Sequence, residues 1–334
     1  MKKVGIIILT WNALPLLKEY LPPLIKHTSN ELADIIIADN GSRDDTIAYA
    51  KQLGLKIIKF DTNFGFAKGY NEAIKQVHYE YILLLNNDVR VTEGWLEPLY
   101  VFMESHPNVV SAQPKIRWDR DKQRYEYAGA EGGYLDYLGY PFCRGRLFDT
   151  LEVDSGQYGS HPKKVFWTTG ATMMVRRQAY IDVGGFDERF FAHQEEIDLA
   201  WRWQALGYQL YVVPESIVYH YGGASLKTEN PQKTYLNFRN NILMLHKNLP
   251  DNKRYIILFS RFFLDIFASL VFLLQMKPGE ALAVIKGRVA ALKMKKMVKS
   301  DGRDLAYTRL YKKSLLVRYH LFGAKRFSDL MYEM

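Results

Sequence analysis

Polar side chains directly follow an apolar run in the first third of the chain. The run Tyr81–Leu85 ends in Asn86, Asn87 and Asp88. A short apolar run bounded by polar residues is typical of a strand buried on both faces of a parallel sheet. Open α/β sheets bind ligands at the carboxyl ends of such strands, and a carboxylate there suits a hard divalent cation that holds phosphates. A simple turn leaving the strand would contain the same residues, so both interpretations stand at this point.

Two further clusters follow predicted strands nearer the start of the chain. Thr10, Trp11 and Asn12 stand after the first strand, where a dinucleotide-binding enzyme would have G-x-G-x-x-G. The absence of that fingerprint argues against a dinucleotide cofactor. After the second strand, Asp39 opens a stretch of acid, amide and hydroxyl groups that could accept hydrogen bonds from a base or a ribose. The same stretch could instead be an Asx turn that caps a helix.

A glycine-containing turn leads into the next predicted helix. It contains Asn63, Gly65 and Lys68. The free amides at the start of a helix, together with a lysine, suit an anion such as a phosphate.

Three acidic residues, Glu195, Glu196 and Asp198, stand at the start of a later predicted helix. Acids in the first turn favour the helix dipole, and Asp198 can pair with Arg202 one turn further on. This structural account covers Asp198 but leaves the two adjacent glutamates unexplained. A glutamate close to a cation and phosphates could act as general base toward an attacking hydroxyl.

Alternating strands and helices in the first part of the chain would position these clusters. We predict strands over Val4–Leu9, Asp34–Ala38, Lys56–Phe60 and Tyr81–Leu85, with helices over Leu14–His27, Asp45–Leu53 and Phe66–Val77. Such alternation predicts βαβ units and a parallel sheet with right-handed crossovers. A helix over Gln194–Leu206 and strands over Gln209–Val213 and Ser216–His220 follow.

The stretch Ser111–Pro162 has no sustained periodicity, so we expect a loop-rich insertion that faces the substrate. Its aromatic segment Tyr134–Phe142 is a candidate for contact with an acceptor. Overall composition, with 48% hydrophobic and 24% charged residues over 334 positions, is that of a globular protein. A single cysteine, Cys143, excludes an intramolecular disulfide and fits a reducing compartment. The short apolar run after Met1 is not expected to be a signal peptide.

The region after Pro250 differs in character. Ile256–Met276 is long enough to span a bilayer, but Arg261 and Asp265 interrupt it and are spaced to pair on one helix face. The formal charge of +9 belongs to the end of the chain, where basic residues are mixed with Leu, Met, Val and Phe. This mixture favours a helix lying in a membrane interface over a full span, and a membrane over nucleic acid. A buried helical subdomain or a homodimer interface is the alternative.

Taken in order, the clusters resemble the family-2 glycosyltransferases, inverting enzymes of the GT-A fold, and within them the rhamnosyltransferase-like branch that builds bacterial surface polysaccharides. The resemblance is carried by Thr10–Asn12, Asp39–Asp44, Asn63–Ala67, Leu85–Asp88, Thr169–Ala171, Gly184–Asp187, Glu195–Leu199 and Tyr219–His220. It implies a mixed α/β sheet flanked by helices over residues 1–250. Residues 251–334 would then form a helical, amphipathic and basic region for membrane association or dimerisation.

The resemblance also implies a role for each candidate residue. The residues that would bind the nucleotide-sugar are Thr10, Asn12, Asp39, Asn63, Gly65, Lys68, Asn87 and Asp88, with Asp39 at the base. Asp88, as the last acid of a D-x-D motif, and His220 would hold Mg²⁺ or Mn²⁺. Glu196 would be the catalytic base, with Gly170 and Glu195 on the acceptor side.

Two departures from the family pattern refine this expectation. Asn86 replaces the first acid of D-x-D, so we expect the cation to arrive with the nucleotide. Glu196 stands where many members have Asp, which lengthens the base by one methylene. We expect transfer of a sugar, by preference L-rhamnose from dTDP-rhamnose, to a lipid-linked saccharide by a peripheral protein on the cytoplasmic face of the cell membrane.

Three alternatives remain open at the level of the sequence. A UDP-sugar is the alternative donor within the same family. A sugar-phosphate nucleotidyltransferase would need a Gly-rich, Arg-bearing loop after the first strand, and Thr10–Ala13 lacks it. A catalytically silent carbohydrate-binding scaffold is supported by Asn86 and opposed by Asp88, Glu196 and His220.

Overall fold

A computed structural model describes residues 2–126, 129–222, 230–298 and 304–333. The strands are β1 (Val4–Thr10), β2 (Ala33–Asp39), β3 (Lys56–Lys59), β4 (Tyr81–Leu85), β5 (Val89–Val91), β6 (Val109–Trp118), β7 (Asp121–Tyr125), β8 (Gly133–Leu135), β9 (Pro141–Cys143), β10 (Arg146–Leu147), β11 (Thr150–Leu151), β12 (Lys163–Val165), β13 (Thr172–Arg176) and β14 (Gln209–His220).

The helices alternate with the strands at first and then follow them. They are α1 (Leu14–His27), α2 (Thr46–Gln52), α3 (Gly65–Lys75), α4 (Leu96–Ser105), α5 (Arg177–Asp182), α6 (Glu195–Ala205), α7 (Pro231–Asn248), α8 (Asp251–Leu274), α9 (Pro278–Met294), α10 (Asp304–Thr308) and α11 (Leu315–His320). Short 3₁₀ turns cover Glu188–Phe190, Lys295–Met297 and Phe327–Glu333.

One large mixed sheet runs in the order β12-β14-β6-β13-β4-β1-β2-β3. Strands β1 to β4 pair in parallel, as βαβ units predict, whereas β13 is antiparallel to both β4 and β6. The predicted mixed α/β sheet flanked by helices is confirmed. Because β1, β2 and β4 are parallel neighbours, their carboxyl ends meet at one edge of the sheet.

Alternating side chains of the central strands bury both faces of this sheet. Ile7 of β1 packs with α3 and α6 on one face, and Ile6 and Ile8 pack with α1 and α4 on the other. All five residues of β4 are buried, which confirms that the run Tyr81–Leu85 is a strand covered on both sides.

The expectation of a loop-rich insertion over Ser111–Pro162 is wrong, because the described part of this stretch contains the six strands β6 to β11. The expected contact of this stretch with the substrate stays a prediction. The first residues of the stretch belong to β6, which lies between β14 and β13 and has eight buried residues at its start. The remainder forms a second sheet, β11-β10-β9-β8. Phe142, in the predicted acceptor segment, is buried against the rings of Tyr311 and Phe327 near the end of the chain. That segment therefore packs against residues near the end of the chain.

Candidate active site

The carboxyl ends of β1 and β2 place Thr10 and Asp39 side by side, because these two residues are partners in the strand register. Asp39 is fully buried. Its Oδ2 accepts a hydrogen bond from the backbone N–H of Ser42 at 3.1 Å, while its Oδ1 has no partner within the described structure. A buried acceptor without a donor is uncommon in a folded protein and marks a place where a ligand N–H or O–H can bind.

Asn12 shapes the wall of the same pocket. Its backbone has a φ of 47°, its N–H donates to Ser42 Oγ at 2.8 Å, and its Oδ1 accepts from the Arg43 N–H at 2.7 Å. These two bonds tie the loop after β1 to the loop after β2. Asn12 thereby holds the two loops on either side of Asp39 in register.

The glycine-containing turn is held by its own side chains. Asn40 Oδ1 accepts from the Phe64 N–H at 2.9 Å, and Asn63 Oδ1 accepts from the Gly65 N–H at 2.8 Å. The amides of Phe66 and of the next residue donate to the carbonyl of Phe191 at 2.8 and 3.2 Å. Those bonds use helix amides that an anion would otherwise bind, so the expected anion contact in this turn rests on Lys68.

Gly65 is required where the turn meets the loop before α6. Its φ is +76°, and a Cβ at this position would lie 2.5 Å from the ring of Phe191. The structure thus brings the turn and the segment that leads to Glu195 and Glu196 into direct contact.

Asp88 and His220 meet at the edge between β4, β5 and the end of β14. His220 Nε2 lies 3.1 Å from Asp88 Oδ1, and Asn86 Nδ2 lies 3.4 Å from the same nitrogen. Asn87 donates to Thr10 Oγ1 at 3.3 Å, which joins this cluster to the pocket around Asp39. The predicted metal-binding and nucleotide-binding residues are therefore contiguous.

Glu126 is a member of this cluster that the sequence did not reveal. Its carboxylate is buried, and its Oε1 lies 3.3 Å from His220 Nδ1. Burial alone would lower the pKa of His220, but the carboxylates of Glu126 and Asp88 outweigh that effect and hold the pKa well above its usual value. Glu126 follows directly on β7 in a stretch without periodicity, so no sequence pattern pointed to it.

The Asp88 carboxylate, together with the His220 imidazole once it has lost the proton that its raised pKa favours, fits a divalent cation that takes its remaining ligands from elsewhere. Within the described residues, no group of three or more His, Cys, Asp or Glu side chains could hold a metal by itself. Mg²⁺ and similar cations bind readily through one or two protein groups plus phosphates and waters. Glu126, behind the imidazole, resembles the carboxylates that orient metal-bound histidines.

Strained backbone leads into α6 and presents its first two residues. His193 and Gln194 have φ values of 70° and 73°, unusual for residues with a side chain. Asn240 of α7 holds this segment by donating to the carbonyls of Ala192 and His193 at 2.8 and 2.7 Å. Such strain persists only where surrounding structure enforces it, and it is common at functional sites.

The carboxylates of Glu195 and Glu196 occupy the start of α6 with unpartnered, buried Oε2 atoms. Burial raises the pKa of Glu195 well above its usual value, and the charge of Glu196 adds to the rise. Burial likewise raises the pKa of Glu196, to about 7. A carboxylate whose pKa lies close to neutrality is suited to accept a proton during a reaction.

Asp198 has the structural role that the sequence allowed. It is fully buried and accepts from Arg202 Nε at 2.9 Å, Lys247 Nζ at 2.8 Å and Asn248 Nδ2 at 2.8 Å. All three donors satisfy it from within the protein. The acidic cluster at the start of α6 therefore divides into two unpartnered glutamates and one structural aspartate.

Gly170 lies against the glycine-containing turn, and two carboxylates of the site influence the Cys143 thiol. A Cβ on Gly170 would lie 3.0 Å from the ring of Phe66, the residue after Gly65. Burial raises the pKa of the Cys143 thiol to about 12, and the carboxylates of Glu126 and Glu196 both add to that rise.

A second cleft lies at the opposite, amino-terminal end of the strands, lined in part by Lys2, Asp34, Lys56 and Tyr79. Asp34 already pairs with Lys2 and Lys56 at 2.8 and 2.7 Å and accepts from the Tyr79 hydroxyl at 2.7 Å. The Asp34 carboxylate is thus satisfied, and the candidate site residues lie at the other end of the sheet.

Residues 5–183 match the family model described as glycosyl transferase family 2. This match covers more than half of the chain, so the chain belongs to that family and is a glycosyltransferase. The family predicted from the strand-end clusters is confirmed.

Curated relatives place it near rhamnosyltransferases. The N-acetylglucosaminyl-diphospho-decaprenol L-rhamnosyltransferase of Mycobacterium tuberculosis (strain ATCC 25618 / H37Rv) is 27% identical over 234 residues, covering 65% of this chain and 75% of that protein. The dTDP-rhamnosyl transferase RfbF of Shigella flexneri is 26% identical over 261 residues, covering 72% and 79%. These relatives support a nucleotide-sugar glycosyltransferase of polysaccharide synthesis.

Solved structures confirm the GT-A fold. GalNAc-T7, solved with UDP, GalNAc and Mn²⁺, superposes with a TM-score of 0.59 at 14% identity over 76% of this chain, which spans about half (49%) of that longer chain. The mannosyltransferase PcManGT from Pyrobaculum calidifontis, solved with GDP-Man and Mn²⁺, gives a TM-score of 0.53 at 14% identity over 88% of this chain and 79% of its own. At this identity the likeness concerns the fold.

Proposed function

We propose that this glycosyltransferase moves L-rhamnose from dTDP-L-rhamnose to a hydroxyl of a lipid-linked saccharide, with inversion at the anomeric carbon. The curated rhamnosyltransferases support the donor, and the decaprenol-linked acceptor in the name of the mycobacterial relative supports the acceptor class. A UDP-sugar is the second candidate donor, because a solved relative of the same fold binds UDP.

The observation that carries the proposal is the buried, unpartnered Oε2 atom of Glu196, together with the raised pKa of this carboxyl. No residue of the described structure neutralises or satisfies its Oε2, although Asp198 in the same helix has three donors. A scaffold without catalytic activity would have no use for an ionisable group kept in this state. The arrangement favours an enzyme over the carbohydrate-binding alternative.

Each step of the transfer can be assigned to residues of this chain. Asp39 Oδ1 accepts a hydrogen bond from the nucleotide base, and Thr10, Asn12, Asn63, Gly65 and Asn87 form the surrounding walls. Lys68, whose Nζ lies 4.5 Å from the ring centre of Phe64 in the turn, would meet the phosphates. Glu196 accepts the proton of the acceptor hydroxyl as that oxygen attacks the anomeric carbon, with Glu195 and Gly170 beside the acceptor. One displacement breaks the bond to the diphosphate, so inversion follows.

Asp88 and His220 are the residues that would hold a divalent cation, Mg²⁺ or Mn²⁺, together with the diphosphate. When bound, such a cation offsets the charge that develops on the leaving diphosphate. Glu126 keeps the imidazole of His220 in place from behind. Since the chain provides one carboxylate and one imidazole, we expect weak cation affinity without nucleotide and stronger affinity with it.

We also propose that residues 1–250 form the catalytic domain and residues 251–334 a helical region that holds it peripherally on the cytoplasmic face of the cell membrane. In the described part of the chain, one helix, Asp251–Leu274, is long and apolar enough to cross a membrane by length and composition. A homodimer through this region is the other way to cover it. We propose no nucleic-acid partner.

A donor screen tests the proposal. Purified full-length protein is incubated with a synthetic N-acetylglucosaminyl-diphospho-polyprenol and, in turn, dTDP-rhamnose or a UDP-sugar, with and without Mg²⁺ or Mn²⁺. Release of the nucleoside diphosphate and the mass of the lipid product are measured. We expect product with dTDP-rhamnose and a cation, and none with Glu196→Gln.

The matched control is Glu215→Gln, which changes an exposed glutamate on β14 and should leave transfer unchanged. Product formed only from a UDP-sugar would replace the donor assignment. Undiminished transfer by Glu196→Gln would remove the base assignment, and no transfer from any donor by the wild type would favour the scaffold.

A further inference from the structure

Helix α8 buries a largely polar face against the protein and exposes an apolar face, the reverse of the usual arrangement. The residues that it buries against the protein are Arg254, Ile257, Arg261, Asp265 and Ser269. They follow the spacing of three to four residues that defines one helix face, and four of the five are polar. The outward face carries exposed large apolar side chains: Tyr255, Ile256, Phe259, Phe262, Phe263, Phe267, Leu270, Leu273 and Leu274.

Side chains of the buried polar face bond to the rest of the protein. Arg261 pairs with Asp265 at 3.1 Å, donates to the carbonyl of Leu138 at 2.9 Å, and lies 4.1 Å from the ring centre of Tyr140. Arg288 of α9 also pairs with Asp265. Because these charges are bonded to the catalytic domain and to α9, this face cannot turn toward lipid. The helix is therefore fixed against the protein along one side.

The outward face is too apolar to be explained by contact with water. Phe259, Phe263 and Phe267 are 65%, 55% and 66% exposed, and Leu274 is 84% exposed. At a rise of about 1.5 Å per residue, the 24-residue helix presents this face over about 36 Å. Contiguous apolar patches of such extent on a folded protein mark sites of protein or membrane contact.

Helix α9, which packs beside α8, also exposes apolar side chains. It is bonded to α8 through Arg288 and through Ser269 Oγ, which donates to the Ala281 carbonyl at 3.0 Å. The exposed apolar residues that it adds are Leu282, Ile285, Val289 and Leu292. The α8–α9 face is defined here as these residues together with the outward face of α8.

Positive charge surrounds the α8–α9 face. The exposed basic residues of this region are Lys253, Lys286, Lys293, Lys295 and Lys296. Its acids are few: Asp251 pairs with Arg254, Asp265 is buried, and Glu280 is half-buried. Two copies of this chain brought together here would place like charges side by side, whereas an anionic lipid surface would attract both the lysines and the apolar side chains.

We infer that the α8–α9 face docks into the headgroup region of an anionic bilayer from one side, without crossing it. This inference rests on the proposed function and names the residues through which the proposed membrane contact is made. A spanning α8 would have to carry its Arg261–Asp265 side into the bilayer, and this side is bonded to Leu138 and Asn241 of the rest of the protein instead. Helices α8 and α9 then lie along the membrane surface, with the α8–α9 face in the headgroup region.

Side-chain hydrogen bonds connect helix α8 to the residue that precedes Glu195 and the proposed base Glu196. Arg261 Nη1 donates to Asn241 Oδ1 at 2.5 Å, and Asn241 Nδ2 donates to Gln194 Oε1 at 3.2 Å. Gln194 directly precedes Glu195 and Glu196. Two side-chain contacts therefore separate the lipid-facing helix from the start of α6, which fixes the base relative to the membrane plane.

Vesicle flotation of the full-length protein tests the docking inference. The probes are vesicles of phosphatidylglycerol mixed with phosphatidylcholine, and vesicles of phosphatidylcholine alone. We expect the wild type to float with the anionic vesicles, and alkaline carbonate to release it because no helix crosses the bilayer. The triple variant Phe259→Ser/Phe263→Ser/Phe267→Ser should lose flotation.

Matched controls separate docking from folding and from catalysis. Val101→Ser/Leu206→Ser removes apolar side chains that are equally exposed elsewhere and should float like the wild type. Each of Lys286→Gln and Lys293→Gln should weaken binding to anionic vesicles about fivefold and leave the melting temperature unchanged. Glu196→Gln should float normally, since docking does not depend on the base.

Several outcomes would overturn the inference. They are flotation of the triple phenylalanine variant, failure of the wild type to float, and retention of the wild type after carbonate treatment. A wild type that forms a dimer by light scattering and does not float, with a monomeric triple variant, would assign the face to a second copy. Transfer to a water-soluble acceptor is measured in parallel, so that loss of docking with intact transfer leaves the proposed reaction standing.

Discussion

Replacing Glu196 by Gln should abolish activity and at the same time stabilise the protein. The variant keeps the size of the side chain and removes its charge. A general base contributes about 10²- to 10⁴-fold to a reaction rate, so kcat should fall by that factor with little change in nucleotide affinity. Stability should rise because Oε2 of the ionised carboxylate is buried without a partner.

The magnitude of the stabilisation follows from the pKa of Glu196, which burial raises from 4.5 to about 7. A rise of this size corresponds to about 3 kcal/mol of lost stability once the group is ionised. Glu195 lies beside it and shares the site, so we expect the variant to regain about 1–3 kcal/mol, or a few degrees in melting temperature.

The effect has a defined pH dependence. Between pH 4.5 and about 7 the folded protein keeps a proton that the unfolded chain has already lost. The wild type therefore loses stability as pH rises through this interval, and the variant does not. The difference between the two should be absent below about pH 4.5 and complete above about pH 7. For the same reason, wild-type kcat should rise with pH through about 7.

Asp198→Asn provides the contrasting case in the same helix. Its carboxylate is bonded to Arg202, Lys247 and Asn248, so neutralising it leaves buried cations without their counter-charge. We expect a loss of about 3–5 kcal/mol. Thermal unfolding of both variants at acidic and alkaline pH, with transfer assays at the same pH values, separates the two roles. A Glu196→Gln variant that melts below the wild type at alkaline pH would refute this account of the site.

Three other variants test separate parts of the structure. Asp39→Asn should weaken binding of dTDP or UDP by about tenfold or more in calorimetry, because it replaces a free acceptor oxygen. The ratio of wild-type affinity to variant affinity should be the same with and without EDTA. Gly65→Ala should lower stability by about 2 kcal/mol or more, because the residue has a positive φ and its new Cβ would clash with the Phe191 ring. Gly54→Ala is the control: it has a similar φ but no atom near its Cβ, so it measures the cost of the backbone conformation alone. Arg261→Met should cost about 3–5 kcal/mol in denaturant unfolding, since the carboxylate that it covers stays buried.

Much of the catalytic half was predictable because it follows strict local patterns. Helix α1 and strand β4 have the predicted bounds, and β1 extends the prediction by one residue, to Thr10. Their apolar periodicity is uninterrupted, and strand ends in a parallel sheet share one edge. The predicted order of strand-end clusters accordingly placed Thr10 and Asp39 side by side, and Asp88 near His220.

Strand β6 was missed for a physical reason. Its sequence contains Ser111, Gln113, Pro114 and Lys115, which are polar or break strand patterns, yet all lie in the interior of the molecule. Gln113 accepts from the Thr169 N–H at 3.0 Å, and Lys115 pairs with Asp154 at 3.2 Å. Long-range partners satisfy these residues, and no local window of sequence contains such partners. Glu126 went unnoticed for the same reason.

The contacts from Arg261 through Asn241 to Gln194 have a consequence for the choice of acceptor. Hydrogen bonds between packed side chains join helix α8 to Gln194, the residue before Glu195 and Glu196, so the proposed docking would hold Glu196 at one height above the lipid headgroups. A saccharide on a lipid carrier must present its hydroxyl at that height to react. The proposed docking would thus select acceptors by the distance of the reacting hydroxyl from the lipid as well as by the identity of the sugar.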